Sequence, residues 1–167
     1  MKLYVGLAVP PALAAAFPAD AKRGEPHVTL LYVPALRDDT PDAGPLTGRV
    51  IAALAEALDA ATPVPVALGP ALTVLDNGEG TTVANALPLT GDARVRMLRV
   101  ALRNALHRRG IGDPQTFDDY RPHATVAYTP RGEAYTGTIP KGASLADRVL
   151  VNLDGATTTA RIGAEVE

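Results

Sequence analysis

Two short phrases hold the residues of this chain best suited to chemistry. Pro26-His27-Val28-Thr29-Leu30-Leu31-Tyr32 and Pro122-His123-Ala124-Thr125-Val126-Ala127-Tyr128 share Pro, His, Thr and Tyr at matching positions. The chain has 3 histidines, and two of them stand here. Imidazole, with an ordinary pKa near 6.5, both accepts and donates protons at neutral pH. One histidine beside a phosphorus centre deprotonates a nucleophile while a second protonates the leaving oxygen. Two threonine hydroxyls bond the nonbridging oxygens as charge builds on them. A single His-x-Thr would mean little, but four matched positions occurring twice are a signal. The competing reading is two alike strand residues left by a duplication.

Alternation along a strand puts residues i and i+2 on one face. His27 therefore projects with Thr29, and His123 with Thr125. On the same parity rule Tyr32 and Tyr128 fall on the opposite, apolar face and are expected to pack against a helix. Tyr4 has cleft parity in the first strand and is the better candidate for a substrate contact. Arg121 shares the parity of His123 and is a second candidate contact. Glu25 shares that of His27 and is a candidate for orienting it.

The remaining candidates have ordinary structural explanations. Arg96, Arg99, Arg103 and His107 recur at helical spacing and read as a solvated face. Arg131 and Lys141 flank a Gly- and Pro-rich stretch at 130–145 that could close over a ligand. Asp118 and Asp119 are the carboxylates on which a metal-dependent alternative would draw. No phosphate-binding glycine loop, dinucleotide fingerprint or nucleophile elbow is present in the sequence.

Composition narrows the partners. A length of 167 residues suits one domain, 1–167, or two small lobes sharing a core, and 47% hydrophobic residues are enough to build that core. A net charge of −2 does not draw the chain to long duplex nucleic acid or an anionic membrane. A small phosphate ligand read locally remains compatible. With no cysteine and so few histidines, a disulfide framework, a thiol nucleophile and a Cys- or His-rich metal site are not expected. No metal and no cofactor enter the reading. Alternation of Leu3, Val5, Leu7 and Val9, followed by Pro10-Pro11, reads as a first strand rather than a leader, so a cytoplasmic protein is expected. A monomer is favoured, although the sequence does not fix the oligomeric state.

These groups need elements to position them. Periodicity predicts strands at 2–9, 27–33, 64–75, 81–88, 123–129, 147–153 and 157–162. A short Ala-rich helix is expected after Pro11, and longer helices at 46–60 and 91–109, with Leu46, Val50, Leu54 and Leu58, and Val95, Leu98, Leu102 and Leu106, as their apolar stripes. Asn77-Gly78 and Asp154-Gly155 signal hairpins. Each half holds one His-x-Thr strand and one long helix. The fold class expected is α+β, bilobal, with two pseudo-twofold-related antiparallel sheet lobes around a central cleft and helices outside.

Two His-x-Thr-hydrophobic motifs in a duplicated chain of this size resemble the 2H phosphoesterase superfamily, which includes bacterial 2′-5′ RNA ligase-like proteins and cyclic nucleotide phosphodiesterases. Arg121-Pro122-His123 is similar to the second motif of RNA ligase-like members. Val9-Pro10-Pro11 resembles the start of compact bacterial and phage members. The resemblance implies that His27 and His123 are catalytic and that Thr29 and Thr125 bind phosphate. It implies a metal-independent phosphodiesterase acting on a nucleotide or a short or cyclic oligonucleotide, with a 2′,3′-cyclic, 2′-5′ or 3′-5′ linkage. Alternatives are a phage-type enzyme degrading cyclic oligonucleotide defence signals, or a non-catalytic nucleotide- or RNA-binding module of the same fold.

Overall fold

In the computed structural model, which describes residues 1–113 and 119–163, the chain folds around one large antiparallel sheet. The strands in chain order are β1 (Leu3–Ala8), β2 (His27–Val33), β3 (Arg37–Asp38), β4 (Val64–Ala67), β5 (Thr73–Leu75), β6 (Thr82–Pro88), β7 (Ile111–Gly112), β8 (His123–Pro130), β9 (Ala143–Ala146), β10 (Arg148–Leu153) and β11 (Ala156–Arg161). The helices are α1 (Pro11–Ala14), α2 (Leu46–Asp59) and α3 (Ala93–Arg108). The main sheet has 7 strands in the order β11-β10-β1-β2-β8-β6-β5, and the pairs β3-β7 and β4-β9 stand apart from it.

The order is symmetric about the β2–β8 junction. β1 flanks β2 as β6 flanks β8, and β10 flanks β1 as β5 flanks β6. The registers match residue for residue: Leu7 and Ala8 face Val28 and His27, as Leu87 and Pro88 face Ala124 and His123. After each of these strands the chain bonds back alike, Val9 N–H to the Pro26 carbonyl at 3.0 Å and Leu89 N–H to the Pro122 carbonyl at 3.1 Å. The two halves meet through one bridging pair, Val28 and Ala124. The lobes expected from the sequence are thus two halves of a continuous sheet.

One face of the sheet carries the core. Val28, Leu30, Ala124 and Val126 are buried together with the α2 stripe (Val50, Ala53, Leu54, Ala57, Leu58) and the α3 stripe (Val95, Leu98, Leu102, Ala105, Leu106). Asp154 at φ 49° and Gly155 at φ 93° turn β10 into β11, the positive pair that a tight hairpin needs.

Two predicted elements differ. The strand expected over 64–75 is broken into β4 and β5, because Gly69 bonds to the Pro88 carbonyl at 2.7 Å instead of continuing a ladder. The 130–145 stretch is not a free flap. Its end forms β9, which pairs with β4 from Val64–Ala146 to Ala67–Ala143, and the Tyr135 hydroxyl donates to the Thr138 carbonyl at 2.6 Å. Arg131 is an ion-pair partner of Asp76, so it is tied to the neighbouring hairpin. Among the described residues no helix is long and apolar enough to cross a membrane.

Candidate active site

His27 and His123 are the first residues of β2 and β8, each next to the Val28–Ala124 pair. Antiparallel geometry then sets His27 across from Thr125 and Thr29 across from His123, all four on the face opposite Val28 and Ala124. The burial pattern agrees, with these four half-buried and Val28 and Ala124 fully buried.

The two histidines have matching supports. His27 Nδ1 lies 2.7 Å from the Glu25 carbonyl oxygen, and His123 Nδ1 lies 2.8 Å from the Arg121 carbonyl oxygen. A carbonyl only accepts, so each Nδ1 carries a hydrogen and each Nε2 is left for the cleft. The proline before each histidine fixes φ and has no N–H of its own. Glu25 and Arg121 therefore orient the rings through their backbones. The Glu25 carboxylate is turned to Arg148, and the Arg121 guanidinium, 82% exposed, pairs with Asp119 at 2.7 Å. Asp118 lies outside the described residues.

The parity expected for the tyrosines is overturned. β1 pairs Val5 with Leu31 and then Gly6 with Thr29, so Leu30 is an extra residue in β2. β6 pairs Asn85 with Ala127 and then Ala86 with Thr125, so Val126 is the equivalent extra residue in β8. Each bulge shifts the alternation by one. Leu30 and Leu31 are both buried, as are Val126 and Ala127. Tyr32 and Tyr128 consequently turn to the histidine face. They line one cavity of about 540 Å³ together with His27, Tyr4, Lys22 and Arg23. A second cavity of about 440 Å³ holds His123, Thr29, Tyr32, Arg99, Tyr120 and Arg121. The sequence did hold a signal for this: two consecutive apolar residues, Leu30-Leu31 and Val126-Ala127, interrupt strict alternation at the same place in both copies.

The bulges are braced by two arginines that sequence reasoning missed. Arg99, read as part of a solvated face, is 8% exposed; its Nε donates to the Leu30 carbonyl at 3.1 Å and its guanidinium lies 4.4 Å from the Tyr120 ring centre. Arg23, 9% exposed, donates to the Val126 carbonyl and, at 2.7 Å, to the Pro18 carbonyl. Each bulge thus has a buried cation on its extra carbonyl. Arg103 and His107 are likewise not merely solvated, since both hold the buried carboxylate of Asp113.

Tyr4 lies where its parity predicted. Its ring meets His27 edge-on at 5.5 Å between centres, and its hydroxyl is 3.5 Å from Thr29 Oγ1. Burial pushes its pKa up to about 12, so it is a neutral hydrogen-bonding group. The ring leans over Gly6, where a Cβ would come within 2.6 Å of the hydroxyl oxygen. Tyr120 donates to the Thr29 carbonyl at 2.8 Å, and burial pushes its pKa up to about 12 as well. Burial is the largest cause holding His27 below the ordinary histidine pKa. The charges of Arg23 and His123 add to it, against the raising bond from the Glu25 carbonyl and the raising charge of the Glu25 carboxylate. No group of three or more metal-ligating side chains is gathered among the described residues.

The model of the 2′-5′ RNA ligase superfamily matches residues 8–158, a span that includes both His-x-Thr strands. The chain belongs to that superfamily, the 2H phosphoesterases. Solved structures share the fold at low identity. TT0787 of Thermus thermophilus aligns with a TM-score of 0.59 at 15% identity, over 96% of this chain and 94% of that one. Usb1 of Kluyveromyces marxianus aligns at 0.56 and 13%, over 96% and 97%. E. coli LigT in complex with 3′-AMP aligns at 0.52 and 15%, over 96% and 94%. LigT has also been solved with ATP, and Usb1 with uridine monophosphate. No curated protein matches the sequence.

Proposed function

We propose that this 2H phosphoesterase is a phosphodiesterase hydrolysing a nucleotide phosphodiester or cyclic phosphate by two-histidine acid–base catalysis, without need of a metal. The observation that carries this reading is the matched support of His27 and His123, each with Nδ1 on the carbonyl two residues back, on either side of one bridging pair. Both rings then exchange protons through Nε2. The nucleotides bound by LigT and Usb1 support a nucleotide ligand.

His27 is the general base in this reading. Its burial and the nearby Arg23 favour neutral imidazole, the form that accepts a proton. Its Nε2 takes a proton from water. That oxygen attacks phosphorus, and His123 Nε2–H gives a proton to the departing alkoxide. Thr29 and Thr125 bond the nonbridging oxygens as charge grows on them. Tyr4 keeps Thr29 and the His27 ring in place from the side.

The test is a turnover screen of 2′,3′-cyclic mononucleotides, 2′-5′ and 3′-5′ dinucleotides and cyclic oligonucleotides, each with EDTA present. Hydrolysis of at least one class is expected. A strict requirement for a divalent cation would replace the histidine mechanism with metal-activated water.

A further inference from the structure

The two halves of the cleft differ at one row of side chains. In the first half Asn152, Tyr4 and Tyr32 lie directly opposite one another on β10, β1 and β2. In the second half the equivalent row is Leu75, Ala84 and Tyr128 on β5, β6 and β8. The middle of the first row is Tyr4, whose ring leans along β1 over Gly6 toward His27. Ala84 leaves the middle of the second row open, at the floor of a cavity of about 560 Å³ whose lining includes Lys22, Leu75, Thr82, Ala84 and Tyr128.

We propose that this gap is a nucleobase slot, with Tyr128 on one side, Leu75 on the other and Ala84 beneath; the proposal rests on the phosphodiesterase reading above. Strands two apart in a sheet are about 9.5 Å apart. A planar ring in van der Waals contact on both faces needs about 7 Å. A base therefore fits between Leu75 and Tyr128. The slot has an apolar wall, with Leu75 38% exposed on it. Thr125 pairs with Ala86 and Tyr128 with Ala84, so the bulge leaves them two ladder steps apart, about 7 Å, within reach of a nucleotide's base from its own phosphate.

Lys22 completes the site. Its Nζ lies 4.6 Å from the Tyr128 ring centre and bonds to the Thr82 hydroxyl. An exposed cation–aromatic contact is weaker than base–aromatic stacking. An incoming base displaces the ammonium, which then swings to the phosphate. The ligand class is thus a nucleoside phosphate whose base enters the second half of the cleft.

The probes are AMP and ribose 5-phosphate, which differ only in the base, titrated calorimetrically into the full chain. The wild type is expected to bind AMP about 5- to 150-fold tighter, the range that one stacked base supplies. Ala84→Phe, which puts a ring into the slot, is expected to bring that ratio to about one. A methyl NMR titration of the wild type guards against a misfolded variant, with AMP and not ribose 5-phosphate shifting Ala84 and Leu75. Equal binding of the two probes by the wild type would overturn the slot, as would base-dependent shifts confined to the cavity of Tyr32 and Tyr120. Neither result depends on turnover, so a failed slot leaves the phosphodiesterase reading standing, and a chain that hydrolyses no diester can still show the slot.

Discussion

Arg99 Nε lies 3.1 Å from the carbonyl oxygen of Leu30, the residue that the bulge adds to β2. That carbonyl has lost its regular ladder position, and the buried guanidinium satisfies it. Arg23 does the same for Val126 in the other half. The bulges decide which way Tyr32 and Tyr128 face, so the two arginines hold the cleft walls from behind.

Arg99→Met is therefore expected to destabilise the fold by about 1–3 kcal/mol, the cost of leaving a buried acceptor unpaired. Chemical denaturation measures this. Turnover measured well below the melting temperature should also fall, because Tyr32 and Thr29 lose their fixed position. An unchanged stability would mean that water replaces the guanidinium and that Arg99 braces nothing.

His27→Ala and His123→Ala are each expected to lower kcat by about 10²–10⁴, the usual worth of a general acid or base. The double variant should lose less than the product of the two, since the pair acts as a unit. Thr29→Ala and Thr125→Ala should slow turnover by less. Wild-type kcat in either histidine variant would remove that residue from the mechanism.

Tyr4→Phe removes the hydroxyl beside Thr29 and is expected to cost about tenfold in kcat/KM, equivalent to ~1.4 kcal/mol. Gly6→Ala should have a similar effect on activity. The new Cβ would collide with the Tyr4 hydroxyl, the far end of a side chain that can swing aside. Little stability is lost in that movement, but the contacts to Thr29 and His27 are. A Gly6→Ala enzyme with full activity and an unmoved Tyr4 would refute this coupling.

With His27 as base, the acid limb of the kcat/KM profile should lie below the ordinary histidine value near 6.5, since burial first and the charges of Arg23 and His123 next lower its pKa. Stability follows the same group. Between the lowered folded pKa and about 6.5 the unfolded chain binds more protons at this site, so the site's contribution to stability grows with pH and is lost on acidification. Denaturation midpoints across that window should show this slope, and His27→Gln should flatten it. An acid limb above 6.5 would assign the base elsewhere.

The sequence alone determined the candidate quartet, its shared face and most of the elements that carry it. His27 with Thr29, and His123 with Thr125, share a face through a two-residue period that needs no tertiary information. The α2 and α3 stripes follow from helical periodicity in the same local way. Only the tertiary structure decided the direction of Tyr32 and Tyr128. A bulge exists as a mismatch in count between two paired strands, and β2 read without β1 contains no such count. The same holds for Arg23 and Arg99. On their own segments they look like solvated cations. They become buried braces only when the carbonyls of Val126 and Leu30, 103 and 69 residues away along the chain, arrive unpaired beside them. The difference between Tyr4 and Ala84 was visible as letters, but their equivalence required the registers of β1 on β2 and β6 on β8.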